Sequence, residues 1–185
     1  MKRNARKAIK FITLLVSALL IGTASAAIYY SLNISGTVTT AVTVCFGQGS
    51  DWPSGSTMGT GNTSVSLSLK AYPNTTLIYE QALKVNNTDN SATPSIKLRH
   101  ISITNNTADV GNFTFIRIVL LDDSSVQKGY LNYTVSGNYF TLDSSTNYET
   151  MDASDVWSIR IETKAATNAQ AGISINLQIA VDVQE

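Results

Sequence analysis

The chain has 185 residues, enough for one domain and a leader, with 13 basic and 13 acidic residues, one cysteine and one histidine. Five of the basic residues lie among the first ten, so the remainder carries eight basic against 13 acidic groups; this balance of about −5 argues against a nucleic-acid surface. Cys45 has no second cysteine with which to form an intrachain disulfide. With one cysteine and one histidine, His100, the chain has almost none of the side chains that a structural zinc site or a Cys/His catalytic pair requires.

Residues 1–26 are predicted to be a signal peptide. The first ten residues are basic, residues 11–22 (FITLLVSALLIG) are apolar, and Ala-Ser-Ala at 24–26 gives the small-residue pattern that signal peptidase accepts. We therefore expect cleavage after Ala26, or after Ala27, and secretion of the remaining chain.

Two other interpretations of the leader remain open. Residues 11–30 approach the length of about 20 apolar residues that spans a bilayer, so the segment also fits a retained membrane anchor. A third interpretation is a type IV pilin or archaellin, cut near Lys10, whose hydrophobic helix forms a filament core. Against both, a Gly-Thr-Ala-Ser run at 22–25 interrupts the apolar stretch, and strict alternation follows it.

The first predicted strand follows the leader directly, in residues 27–36. Its apolar positions recur with a period of two, which is typical of a strand with one buried face. The apolar face consists of Ile28, Tyr30, Leu32 and Ile34. Gly36 then allows the chain to bend before the rest of the domain, residues 37–185.

The middle of the chain alternates between strand patterns and turns. Strands are predicted at 38–46, 64–72, 95–104, 113–122 and 155–163, with a Gly/Ser-rich loop at 47–62 and a hairpin at 131–142 that turns at 136–138. The run at 77–85 (LIYEQALKV) fits either a strand or a short helix. The run at 113–122 is apolar on both faces, which predicts a central strand.

The chain ends on a second strongly alternating segment. Between Ile173 and Val183 every odd position is apolar. No amphipathic helix of more than ten residues is predicted outside the leader. Short strands at regular spacing, with turn residues between them, predict an all-β protein: an antiparallel β-sandwich of the jelly-roll or immunoglobulin-like kind.

Three segments, in this order, resemble the TasA/camelysin family of secreted fibre proteins, which includes archaeal bundling pilins and thread-forming subunits. They are the leader-to-strand passage GTASAAIYYSLNISGTV, the strand, Asn-rich turn and strand ISITNNTADVGNFTFIRIVL, and the C-terminal NAQAGISINLQIAVDVQE. In the last segment, the positions similar to the family's Asn-x-x-Gly lead-in and late Gln are Asn168, Gln170, Gly172 and Gln184.

The resemblance implies a jelly-roll-like subunit that polymerises outside the cell by donor-strand complementation. Its partners would be identical subunits in a head-to-tail pilus or thread, with neighbouring filaments in bundles, and the membrane only during secretion. The filament would serve cell adhesion and the biofilm matrix.

The N-terminal strand also has a physical reason to be exchanged between subunits. Burial of each apolar side chain is worth about 1.5–3 kcal/mol before entropy costs, and insertion into a neighbour's sheet adds a ladder of backbone hydrogen bonds. A head-to-tail contact of this kind does not close, so it generates a filament. The alternative is that residues 28–34 form a strand of their own domain. The candidate acceptor groove comprises Phe113, Phe115, Ile116, Ile175, Leu177 and Ile179.

Seven Asn-x-Ser/Thr sequons are candidate N-glycosylation sites of a secreted glycoprotein. They are Asn33, Asn62, Asn74, Asn86, Asn105, Asn112 and Asn132. The alternative is that a β-protein rich in Asn, Ser and Thr matches the sequon by composition.

Enzymatic activity is not predicted, because the sequence contains no HExxH motif, catalytic-triad pattern or metal-ligand cluster, and no cofactor or metal is implied. A different class of function stays open: a secreted or anchored, monomeric β-sandwich that binds carbohydrate or protein.

Overall fold

The computed structural model describes residues 44–103, 107–137 and 139–184. Over these residues the protein is all-β with antiparallel sheets, as predicted, and the arrangement is consistent with a β-sandwich. The predicted signal peptide, the strand at 28–34 and the domain boundary at 36/37 lie outside the described residues.

Eleven strands and two short helical turns are assigned in the described residues. The strands are β1 (Val44–Gln48), β2 (Thr57–Met58), β3 (Val65–Ser66), β4 (Leu77–Asn87), β5 (Ser95–Ile103), β6 (Phe113–Leu121), β7 (Gln127–Ser136), β8 (Tyr139–Thr146), β9 (Glu149–Thr150), β10 (Val156–Ala165) and β11 (Leu177–Gln184). The turns are a 3-10 turn at Thr60–Asn62 and one α-helical turn, α1, at Thr107–Val110. Six strands form one sheet in the order β1-β4-β10-β6-β7-β8, three form a second in the order β11-β5-β9, and β2 pairs with β3.

One hydrophobic core collects inward-facing side chains from both larger sheets. From the six-stranded sheet come the alternating apolar residues of β10 and β6, and from the three-stranded sheet those of β5 and β11. The largest fully buried side chains include Trp157, Tyr133, Leu83, Ile118 and Leu98. Alternation with a period of two therefore determines which face of each strand is inside.

The central position predicted for the 113–122 run is confirmed. β6 lies between β10 and β7, and its residues Ile116, Ile118 and Leu120 face the core. Val119 on the opposite face is fully buried as well, between its cross-strand neighbours Arg160 and Tyr130. Long side chains on neighbouring strands can cover an outward-facing valine in this way, which explains why the run is apolar on both faces.

The structure settles the ambiguous segment and shortens two predicted strands. Residues 77–85 belong to an eleven-residue strand, β4. The predicted strand at 64–72 is reduced to β3, followed by buried side chains at Leu67 and Leu69 that reach the core without regular pairing in the described residues. Similarly, β11 begins at Leu177 rather than Ile173. In both places apolar alternation predicted the buried face correctly but overstated the length of the hydrogen-bonded ladder.

The predicted hairpin at 131–142 is confirmed. β7 and β8 pair in register from Gly129 and Thr146 to Ser136 and Tyr139, which leaves a two-residue connection. Gly137 has φ of 64°, the left-handed backbone that tight hairpin turns require and that glycine adopts without a Cβ clash.

A histidine–tyrosine contact joins the two sheets. His100 Nδ1 on β5 and the Tyr133 hydroxyl on β7 lie 3.0 Å apart, with ring centroids separated by 5.6 Å. Burial lowers the pKa of His100 and raises the pKa of Tyr133. The contact is therefore made by neutral side chains.

Acidification should weaken the fold through His100, the only histidine of the chain. Because its folded pKa is depressed, the unfolded state binds the proton first, so this contribution is complete above pH about 6.5 and declines as the pH falls below it. We expect the melting temperature of the wild type to fall more steeply between pH 7.5 and 5.5 than that of His100→Gln. An equal pH dependence of the melting temperature in the two proteins would contradict a partly buried, neutral His100.

Candidate assembly and glycosylation surfaces

Five of the six predicted acceptor residues lie in one place. Phe113 and Ile116 on β6, with Ile175, Leu177 and Ile179 in and before β11, all belong to the hydrophobic core and are almost fully buried. The two sheets therefore bring the central and last strands onto the same interior.

Phe115 lies apart from the other predicted acceptor residues. It sits on the outer face of the six-stranded sheet, where it is half-buried and lines a cleft. Phe113 is the neighbouring aromatic residue that faces inward, with its ring centroid 6.1 Å from that of Phe140. A bulge between Lys164 and Ala165 in the β10–β6 pairing separates the two phenylalanines.

β11 is an edge strand of the described three-stranded sheet. It pairs with β5 along its whole length, and surface contacts reinforce the register: Arg99 Nε donates to both carboxylate oxygens of Asp182 at 2.9 and 2.7 Å, and Ser102 Oγ donates to Gln178 Oε1 at 3.0 Å. Among the described residues its other edge pairs with no strand. Such an edge is a template for a further strand.

Apolar side chains are also exposed where β5 and β8 lie next to each other, and the sequence did not predict this exposed surface. Ile101 is the extra residue of a bulge in the β5–β11 pairing and is 40% exposed. Leu142 is 42% exposed although its cross-strand neighbour Tyr133 is buried. In the described part of the chain β9 pairs only with Ser95 and Ile96, at the start of β5. Bulges and register cannot be read from one sequence, so no pattern in the residues predicted this exposed surface.

The described sequons differ widely in environment. Asn62 and Asn74 are exposed in turns, with φ of 57° and 59°, the left-handed conformation that asparagine tolerates. Asn86 is half-buried on β4. Asn132 is half-buried on the outer face of β7. Asn33 and Asn105 lie outside the described residues.

Asn112 forms part of the protein interior. It is 6% exposed; its Oδ1 accepts from the backbone N–H of Gln170 at 2.6 Å, and its Nδ2 donates to the carbonyl of Asp109 at 3.3 Å. Its backbone carbonyl accepts from the N–H of Ala166 at 3.0 Å. The side chain thus ties the start of β6 to the segment before β11, and this geometry favours a structural role over glycan attachment in the folded protein.

Neither a metal centre nor a membrane-spanning helix is found in the described part of the chain. No three side chains of His, Cys, Asp or Glu cluster there in a way that could hold a metal ion. Over the same residues no helix is long and apolar enough to cross a bilayer.

Comparison of the chain with family models and with curated proteins finds no match.

Proposed function

We propose that the protein is the structural subunit of an extracellular filament, a pilus or thread, joined head-to-tail by donor-strand complementation. The observation that carries the proposal is the alternating strand pattern of residues 28–34, placed directly after a predicted signal peptide and attached to an antiparallel β-domain. In this proposal residues 1–26 are removed, residues 27–36 form the donor strand, and residues 37–185 fold as a jelly-roll-like sandwich.

The acceptor in this proposal is the outer edge of β11. A strand added there would meet the backbone groups that point away from β5 and would lie beside the inward-facing Ile175, Leu177 and Ile179. Because donor and acceptor both alternate with a period of two, the apolar faces of the two strands can share one interior. Each subunit would then present one donor and one acceptor, which is sufficient for an open, unlimited polymer.

The wider role follows from this assembly and from the resemblance to secreted fibre proteins. We propose a glycosylated cell-surface filament that contributes to adhesion and to a biofilm matrix, with identical subunits as the main partners. Its function is mechanical and adhesive, without an enzymatic step.

A free peptide of the donor sequence should act as a chain terminator. Peptide IYYSLNI, residues 28–34, added in excess to assembling protein is expected to shorten the filaments and to co-purify with them, since it fills the acceptor without offering another. Filament length by negative-stain electron microscopy and bound peptide by mass spectrometry are the readouts.

The matched control is the same peptide with the change Leu32→Asp, which places a charge on the apolar face and should bind neither subunit nor filament. If both peptides leave filament length unchanged and neither binds, assembly through residues 28–34 as the donor strand is contradicted. N-terminal sequencing of the filaments separates the remaining interpretation: a start near Phe11 instead of Ala27 would favour a helix-cored, type IV pilin-like assembly.

A further inference from the structure

Four polar side chains form a row across the outer face of the six-stranded sheet. Glu162 on β10 pairs with Arg117 on β6, Arg117 pairs with Asn132 on β7, and Asn132 pairs with Asp143 on β8. Neighbouring strands are about 4.8 Å apart, so the row presents acid, guanidinium, amide and acid at regular steps along about 14 Å. These four residues are far apart in the sequence, and only the register aligns them.

The row forms the floor of a cleft of about 620 Å³, within the range of ligand sites. Phe115 and Thr134 line the cleft from the next row along the strands, and Tyr130 lines it from the row on the other side. The cleft therefore combines two aromatic rings with hydrogen-bonding groups of both polarities.

Contacts among these side chains hold the cleft in shape. The Arg117 guanidinium lies over the Tyr130 ring, 5.5 Å from its centroid, and its Nη2 donates to Gln127 Oε1 at 3.2 Å. The Tyr130 hydroxyl donates to Asp143 Oδ2 at 3.3 Å. On the other side, Arg160 Nη2 lies 3.1 Å from Glu162 Oε1. The side chains are thus positioned relative to one another without a bound ligand, which lowers the cost of binding.

We propose that this cleft is a saccharide-binding site. Vicinal hydroxyl groups of a sugar can donate to the carboxylates of Asp143 and Glu162 and accept from Arg117 and Asn132, while the Phe115 ring offers an apolar surface for the sugar's C–H face. The charges argue against the main competitors: the carboxylates of Asp143 and Glu162 are balanced by the guanidinium of Arg117 between them and by that of Arg160 beside Glu162, so no net charge favours a phosphate, another anion or a cation. A neutral polyol can form hydrogen bonds with all four side chains of the row.

The saccharide has two possible sources. One is a glycan on the protein itself, because Asn132-Tyr133-Thr134 is a sequon whose Asn and Thr face the cleft while Tyr133 faces the core. A sugar attached to Asn132 would begin in the middle of the row. The other source is a separate glycan, from a matrix polysaccharide or a neighbouring subunit.

The first arm of the test measures binding of free sugars to protein made in a host that lacks N-glycosylation. Methyl glycosides of glucose, galactose, mannose and N-acetylglucosamine, together with an array of defined oligosaccharides, are the probes. At least one is expected to bind, and Phe115→Ala and the isosteric Asp143→Asn should each weaken binding at least tenfold. Tyr139→Ala, which removes a 58% exposed aromatic ring outside the cleft, should leave it unchanged. Melting temperatures verify that each variant is folded.

The second arm uses protein purified from the cells that produce it and maps glycans by mass spectrometry. If the sugar is the protein's own, Asn132 is occupied, and Asn132→Gln lowers the melting temperature of this protein by several degrees but leaves that of protein made in the host without N-glycosylation unchanged. That loss should disappear in a Phe115→Ala background. The proposal is overturned if no probe binds and Asn132 is either bare or carries a glycan whose stabilisation of the fold is unchanged by Phe115→Ala. Neither arm requires assembly, so its outcome is independent of the filament proposal.

Discussion

Deletion of residues 28–34 should abolish filaments and leave a folded, monomeric β-protein. The deletion removes four apolar side chains whose burial is worth about 1.5–3 kcal/mol each, together with a full strand of backbone hydrogen bonds, from every subunit contact. For four side chains this is about 6–12 kcal/mol before entropy costs, comparable with the net free energy of about 8 kcal/mol that corresponds to micromolar association. Chains 27–185 with and without the segment are compared by negative-stain electron microscopy, by light scattering and by circular dichroism.

Two charged variants of the same strand provide matched controls. Leu32→Asp places a charge on the apolar face and should behave like the deletion, whereas Ser31→Asp places it on the polar face and should still assemble. Filaments from the deletion variant, or equal assembly by the two aspartate variants, would contradict a donor role for this strand.

Asn87→Ala should destabilise the fold by about 3–5 kcal/mol, because three hydrogen bonds of a buried amide are lost together. Asn87 is 3% exposed at the end of β4; its Nδ2 donates to the carbonyls of Ala92 and Asp152 at 2.8 and 2.9 Å, and its Oδ1 accepts from the N–H of Asp89 at 3.1 Å. The side chain thereby fastens the β4–β5 loop to the loop before β10. Urea denaturation gives the free energy of unfolding.

Asn90→Ala is the matched control for this prediction. Asn90 accepts one exposed hydrogen bond, from Ser154 Oγ at 3.0 Å, so its loss should cost under about 1 kcal/mol. Asn87→Asp should be as harmful as the alanine change, since its carboxylate would face two carbonyl oxygens. A single ordinary hydrogen bond is worth about 1 kcal/mol. If the free energy of unfolding of Asn87→Ala lies within that amount of the wild-type value, the hydrogen bonds of Asn87 between the two loops do not stabilise the fold as proposed.

The buried faces of the strands could be predicted from the sequence because alternation records burial directly. Trp157, Ile159 and Ile161 on β10 follow the period of two and face the core as expected. The same logic failed for strand length at Leu67, Leu69 and Ile175, which are buried without belonging to a regular strand. Alternation reports which side chains are buried but does not report which backbone groups pair.

The cleft and the sequon environments could not be predicted, because both depend on register. Glu162, Arg117, Asn132 and Asp143 become neighbours only when four strands are aligned. Asn112 and Asn132 both belong to an Asn-aromatic-Thr sequon, yet Asn112 is buried in the interior and Asn132 lines the cleft on the outer face of the sheet. A single sequence contains no direct signal for these differences.

The most direct test of the filament proposal is a cryo-electron microscopy reconstruction of the native filament, at a resolution that traces the backbone. The account predicts residues 28–34 of each subunit as a strand hydrogen-bonded to the outer edge of β11 in the next subunit, with their apolar side chains beside Leu177 and Ile179. A reconstruction in which residues 28–34 pair within their own subunit, or in which residues 11–26 form a helical filament core, would contradict it.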